Sequence, residues 1–108
     1  MLDTTELTAA ADRFADRLRA APQSRLQQGA AAEGLALARE LAAMAQQIEE
    51  PAGEPRIMPD AGVFAVADQL MVAAHDLAEA LRSAVPARSR ELDEAVDLVR
   101  AASLRSSL

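Results

Sequence analysis

The chain of 108 residues suits one compact domain, and 51% of the residues are hydrophobic, although 27 of those are alanines that bury little surface. It contains no cysteine, which excludes disulfides, thiolate nucleophiles and cysteine-based metal sites. Residues 1–50 hold eight acidic and five basic side chains, and residues 51–108 hold nine and six, so each part carries −3 of the net −6. Nucleic-acid binding needs concentrated positive charge and is not expected.

The composition also bears on source and compartment. All 11 basic residues are arginine, and the excess of alanine and arginine is typical of a GC-rich bacterial genome. The first residues lack the basic and apolar regions of a signal peptide, and no run of about 18 apolar residues could span a membrane. We therefore expect a cytoplasmic protein that does not interact with a membrane.

Helical spacing of apolar residues predicts two helices in residues 4–49. The first helix is expected over 4–20, where Leu7, Phe14 and Leu18 share one face and Pro22 follows. The second is expected over 25–49 and includes Gly29 and Gly34. Because glycine weakens a helix by about 1 kcal/mol relative to alanine, we expect close approach of a neighbouring helix there, or else a break near Gly29.

Residues 51–60 form the one clear connector, because their three prolines cannot donate backbone hydrogen bonds and resist helix. Ile57 and Met58 lie between two of these prolines. Two apolar residues in a polar loop either dock on the edge of the protein or contact a partner. Docking is the favoured interpretation, and both residues are candidate partner contacts.

The third predicted helix, over 61–84, has the most regular apolar pattern of the chain, and Asp60 is expected to cap it. One line along it contains Val63, Ala67, Leu70, Ala74, Leu77, Leu81 and Ala84, and a second line contains Phe64, Met71, Ala78 and Val85. A fourth helix is expected to begin near Pro86 or Ser89 and to end near 103, with a frayed tail.

These elements predict an all-α protein, an antiparallel four-helix bundle in a single domain spanning 1–108. Short links favour antiparallel neighbours, so the bundle is expected to consist of two helical hairpins, 4–49 and 61–103, joined by the connector. The middle helices are predicted to be about 24–25 residues long and the outer two about 17. This difference in length would leave part of the middle pair uncovered, which favours a symmetric partner.

His75 is the only histidine and lies at the edge of the apolar face of the third helix. We expect it to pair with Glu79 at i,i+4. Alternatively, Ala74-His75-Asp76-Leu77 resembles the A-H-x-L opening of the histidine-phosphotransfer motif, which would make His75 a phosphoacceptor. That motif continues with a basic residue and a glycine, where this chain has Ala78 and Glu79.

No other catalytic or ligand-binding pattern stands out. Di-metal sites in helical bundles need two Glu-x-x-His motifs, and this chain has one histidine with Val72 three residues before it. We expect no cofactor, no metal and no enzymatic activity. The favoured function is that of a small acidic interaction or regulatory protein, present as a homodimer or bound to another protein. The alternatives are a degenerate phosphotransfer domain that uses His75, and a carrier of a small apolar ligand.

Overall fold

The computed structural model describes residues 1–108 and contains helices without strands. The helices are α1 (Thr5–Ala20), the short α2 (Gln23–Arg25), a π-helical turn (Leu26–Ala30), α3 (Ala31–Glu49), α4 (Val66–Ser83) and α5 (Ser89–Ser106). The four long helices α1, α3, α4 and α5 pack together, so the predicted four-helix bundle is confirmed. None of them is long and apolar enough to cross a membrane.

The core consists of large side chains separated by alanines. Phe14 of α1, Leu41 of α3, Leu70 and Leu77 of α4 and Val99 of α5 are fully buried, and buried alanines from all four helices fill the spaces between them. Because alanine is small, it lets the helix backbones approach closely while adding little burial energy.

The predicted face of the third helix is confirmed in its middle and wrong at its ends. Ala67, Leu70, Ala74, Leu77 and Leu81 are all buried. However, α4 begins at Val66 instead of residue 61.

Residues before Val66 form a turn, in which the carboxylate of Asp60 accepts a hydrogen bond from the backbone N–H of Gly62 at 2.8 Å. Gly62 has φ +94°, a conformation that an α-helix does not use. Phe64 precedes α4 and Val85 follows its end at Ser83. They are 73% and 95% exposed, so the second predicted apolar line is not buried at either end.

The two glycines of the predicted second helix have different roles. Gly29 adopts φ +142° inside the π-helical turn and kinks the chain, which confirms the alternative of a break at this position. Gly34 provides the expected close approach. A Cβ atom at position 34 would lie 2.7 Å from Cγ1 of Val66 and 3.0 Å from Cδ1 of Leu18, which is closer than packed carbon atoms tolerate.

Side-chain contacts give the directions of the helices. Arg19, near the end of α1, pairs with Asp68 at the start of α4, whereas Arg82 at the end of α4 donates to Thr4, just before α1. Thus α1 and α4 are antiparallel. By contrast, Gly34 at the start of α3 faces Val66 at the start of α4, so α3 and α4 are parallel.

The helices do not pack as the two predicted hairpins. The most extensive contact joins α3 to α4, whereas α1 barely touches α3, and α4 barely touches α5. The reason is the connector. Together with the residues that flank it, the connector makes a link of 16 residues, 50–65, between α3 and α4. This link can span about 50 Å when extended, whereas the 19-residue α3 is about 28 Å long. The chain can therefore return to the end of the bundle at which α3 began.

Helix lengths also differ from the prediction. The four long helices contain 16, 19, 18 and 18 residues, so no long middle pair extends beyond a short outer pair. The kink at Gly29 and the late start of α4 shorten the middle helices, and α5 continues to Ser106, which is buried, instead of fraying at 103. The helix lengths therefore no longer support the expectation of a symmetric partner.

Candidate functional site

An open cleft of about 980 Å³ lies at the end of the bundle where α3 and α4 both terminate. We call it the α3–α4 cleft. Its lining residues come from the last two turns of α3, from the second half of α4 with the two residues that follow it, and from connector residues 56–59, which we call the connector wall. The apolar lining residues are Ala42, Ala45, Ile48, Ile57, Met58, Ala80, Ala84 and Val85, together with Pro59.

The connector wall is held by side chains that bind its backbone. The Gln46 side-chain amide of α3 donates to the carbonyl of Glu54 and accepts from the N–H of Arg56. Farther along, Nε of Arg39 donates to the carbonyl of Met58 at 2.8 Å. Prolines on both sides limit the conformations of this segment. These hydrogen bonds and the prolines together hold the wall in a defined position beside α3.

Ile57 and Met58, the two predicted contact residues, have different environments. Met58 is half-buried and packs against the core, in agreement with docking. Ile57 is 77% exposed and faces the cleft from the wall. The connector thus docks through one of the two side chains and presents the other to solvent.

Sequence analysis missed the opposite side of the cleft. Val85 is 95% exposed because Pro86 ends the helical path immediately after it. A large apolar residue directly before a proline, at the end of an apolar line, was the available signal. The regular apolar spacing instead groups Val85 with Phe64, Met71 and Ala78 on one line of the third predicted helix.

Carboxylates dominate the charged rim of the cleft. Glu49, Asp76 and Glu79 line it, and all three are exposed. None of them forms an ion pair within the chain. Arg56 is the one cation of the lining, and it pairs with Glu50 at 3.0 Å. Unpaired charge on the rim is therefore negative.

His75 is not among the residues that line the cleft. Its Nε2 atom is 3.1 Å from Oδ1 of Asp12 on α1, so its partner is Asp12 and the predicted pairing with Glu79 is wrong. The side chain is half-exposed, as expected for a rim position. A phosphoryl group on Nε2 would lie against the Asp12 carboxylate, and this geometry gives no support to phosphotransfer through His75.

A second, smaller and more polar cleft of about 380 Å³ lies at the opposite end of the bundle, beside Gly29. The two arginines in it already have partners within the chain. Arg25 donates to the carbonyl of Ser107, and Arg105 pairs with Glu33 at 2.9 Å. No group of three or more His, Asp or Glu side chains is arranged to hold a metal ion. The α3–α4 cleft is therefore the stronger candidate site.

Comparison with protein-family models, with curated protein sequences and with solved structures finds no match for this chain.

Proposed function

We propose that this chain is a cytoplasmic, non-catalytic interaction protein that receives aliphatic side chains of a partner protein in the α3–α4 cleft. One observation carries the proposal: Ile57 and Val85, two large aliphatic side chains, are 77% and 95% exposed and line the same preformed cleft. Fully hiding each side chain would contribute about 1.5–3 kcal/mol, which a bound partner would supply. Such clusters of exposed apolar residues with a polar rim are typical of interaction sites.

Site-specific photocrosslinking in the source cells tests this proposal. A benzophenone amino acid is placed at Ile57 or at Val85 in the full chain, with Asp93 of α5, which is exposed and outside the cleft, as the control position. We expect one adduct of the same mass from both cleft positions and none from the control. Failure to trap a protein at either cleft position, or equal trapping at all three, would contradict the proposal.

A small apolar ligand is the second candidate, because the volume of the cleft lies within the range of about 300–1,000 Å³ that small-molecule sites occupy. The exposure of Ile57 and Val85 argues against it, since ligand sites bury most of the ligand surface and these two residues stand at an open rim. Native mass spectrometry of the purified chain distinguishes the two candidates: a carrier retains a small molecule, whereas an interaction protein shows the mass of the polypeptide.

A further inference from the structure

We infer that the partner segment is a short amphipathic helix with basic residues flanking its aliphatic face. This inference rests on the proposed interaction function and specifies the chemistry of the partner. The unpaired carboxylates of Glu49, Asp76 and Glu79 border the cleft, and its only cation, Arg56, is already paired. A partner with arginine or lysine beside its apolar anchors would place opposite charges on this rim.

The direction of the helices strengthens the negative potential. Because α3 and α4 are parallel, Glu49 and Ser83, their last residues, lie at the same cleft. The C-terminal end of each helix carries a partial negative charge of about half a unit, from carbonyl groups that have no helical partner. This effect is confined to the last turn, so the two ends add to the negative charge of Glu49, while Glu79 and Asp76 contribute their own charge farther along α4. Together they favour a cation at the cleft.

The dimensions of the cleft fit a helix. Its lining residues on α4 run from Asp76 to Ser83, seven residue steps or about 10 Å along that helix. About two turns of helix would occupy it.

Hydrogen bonding also favours a helix over an extended segment. An extended peptide would need partners for its backbone N–H and C=O groups once they leave water. The Gln46 amide, which could bind such a backbone, already binds the connector. A helix satisfies its own backbone and needs only apolar contact and charge from the cleft.

A second copy of this chain fits the cleft poorly. Two copies related by a twofold axis through this face would bring the same unpaired carboxylates together, and like charges at an interface are unfavourable. The occupant we assign is therefore a segment of a different protein.

The test uses the full chain and three labelled synthetic peptides of 14 residues with identical leucine positions on one helical face. The remaining positions hold arginine in the first peptide, glutamine in the second and glutamate in the third. Fluorescence anisotropy at low and high salt gives each dissociation constant. We expect the arginine peptide to bind about tenfold more tightly than the glutamine peptide, the glutamate peptide to bind most weakly, and the preference to shrink at high salt.

Matched variants locate the binding. The triple variant E49Q/D76N/E79Q removes the rim carboxylates, and D93N/E94Q/D97N removes three exposed, unpaired carboxylates of α5 that lie outside the cleft. We expect the first variant to lose most of the preference for the arginine peptide and the second to retain it. The double variant I57S/V85S should weaken binding of the arginine and glutamine peptides alike, and circular dichroism should show that all variants remain folded.

Several results would overturn the inference. Equal binding of the arginine and glutamine peptides would leave the proposed function intact and reject a basic partner. A preference that survives E49Q/D76N/E79Q would place binding elsewhere. If no peptide binds, the helical partner is rejected, and crosslinking at Ile57 and Val85 then decides the proposed function separately. A dimer that I57S/V85S abolishes would assign the cleft to a second copy of this chain. Displacement of a bound apolar dye by a small apolar molecule, when no peptide binds, would assign the cleft to a small apolar ligand.

Discussion

The difference between Ile57 and Met58 provides the sharpest test of the cleft. Each residue is changed to serine in a separate variant of the full chain. Full burial of such a side chain stabilises a protein by about 1.5–3 kcal/mol. Because Ile57 is 77% exposed, the buried remainder of its side chain contributes at most about 0.7 kcal/mol to folding. Half-buried Met58, packed on the core, should contribute about 1–1.5 kcal/mol.

Thermal unfolding followed by circular dichroism measures these contributions. For a domain of this size, 1 kcal/mol corresponds to about 4–8 °C in Tm, so Met58→Ser should lower Tm by about 4–12 °C and Ile57→Ser by less than about 6 °C. Ile57→Ser should nevertheless weaken partner binding. If Ile57→Ser lowers Tm as much as Met58→Ser, then Ile57 is docked in solution and the cleft loses one of its two exposed aliphatic residues. If neither change affects Tm, the connector is not docked at all.

Four further predictions concern the bundle. Leu70→Ala or Leu77→Ala should each lower the free energy of unfolding by about 2–5 kcal/mol, because both side chains are fully buried. A negligible change in the urea midpoint would show that this face of α4 is not the one buried in the core. Gly34→Ala should destabilise by up to about 2 kcal/mol, because overpacking against Val66 outweighs the gain in helix propensity, and a stabilised variant would contradict the close approach. His75→Ala should change stability by less than about 1 kcal/mol and leave partner binding intact, because its pair with Asp12 is exposed; phosphorylation of His75 by a phosphodonor would contradict this expectation. Sedimentation at micromolar concentration tests self-association: a dimer remains our prediction from the alanine-rich core alone, and a clean monomer would remove it.

Local pattern was sufficient to predict most helices and much of the core. The spacing of Leu70, Ala74 and Leu77 identifies a buried face, because a helix with a broad apolar face has to pack against other elements. The same pattern gave the wrong start for α4, since Val63 and Phe64 continue the apolar rhythm into a turn. Only the backbone conformation at Gly62, with positive φ, separates the turn from the helix.

The arrangement of the helices could not be predicted in this way. Apolar spacing determines which face of a helix is buried, but it does not determine which neighbour covers that face. Short links between helices favour antiparallel hairpins as a general tendency. Here the links around Pro22 and Pro86 connect helices that lie diagonally across the bundle, and the long connector joins the two helices with the largest contact.

Only part of the candidate site could be predicted, because a sequence pattern reports local structure and does not report which helices become neighbours. Two apolar residues between prolines identified Ile57 and Met58, since that signal is local. Val85 and the carboxylates of Asp76 and Glu79 belong to the cleft only because α4 lies parallel to α3, and nothing in their local sequence indicates this neighbour.

The parallel packing of α3 and α4 connects the fold to the proposed partner. In two sequential hairpins, the C-terminal end of each helix would lie beside the N-terminal end of its neighbour, and their partial charges would largely cancel. In this chain the returning connector places the C-terminal ends of α3 and α4 together, and Ile57 and Val85 lie at that same end. The returning connector thus brings two negative helix ends together and places Ile57 near Val85, whose own exposure follows from Pro86. A shortened connector that forced α3 and α4 to become antiparallel would separate the two helix ends and move Ile57 away from Val85.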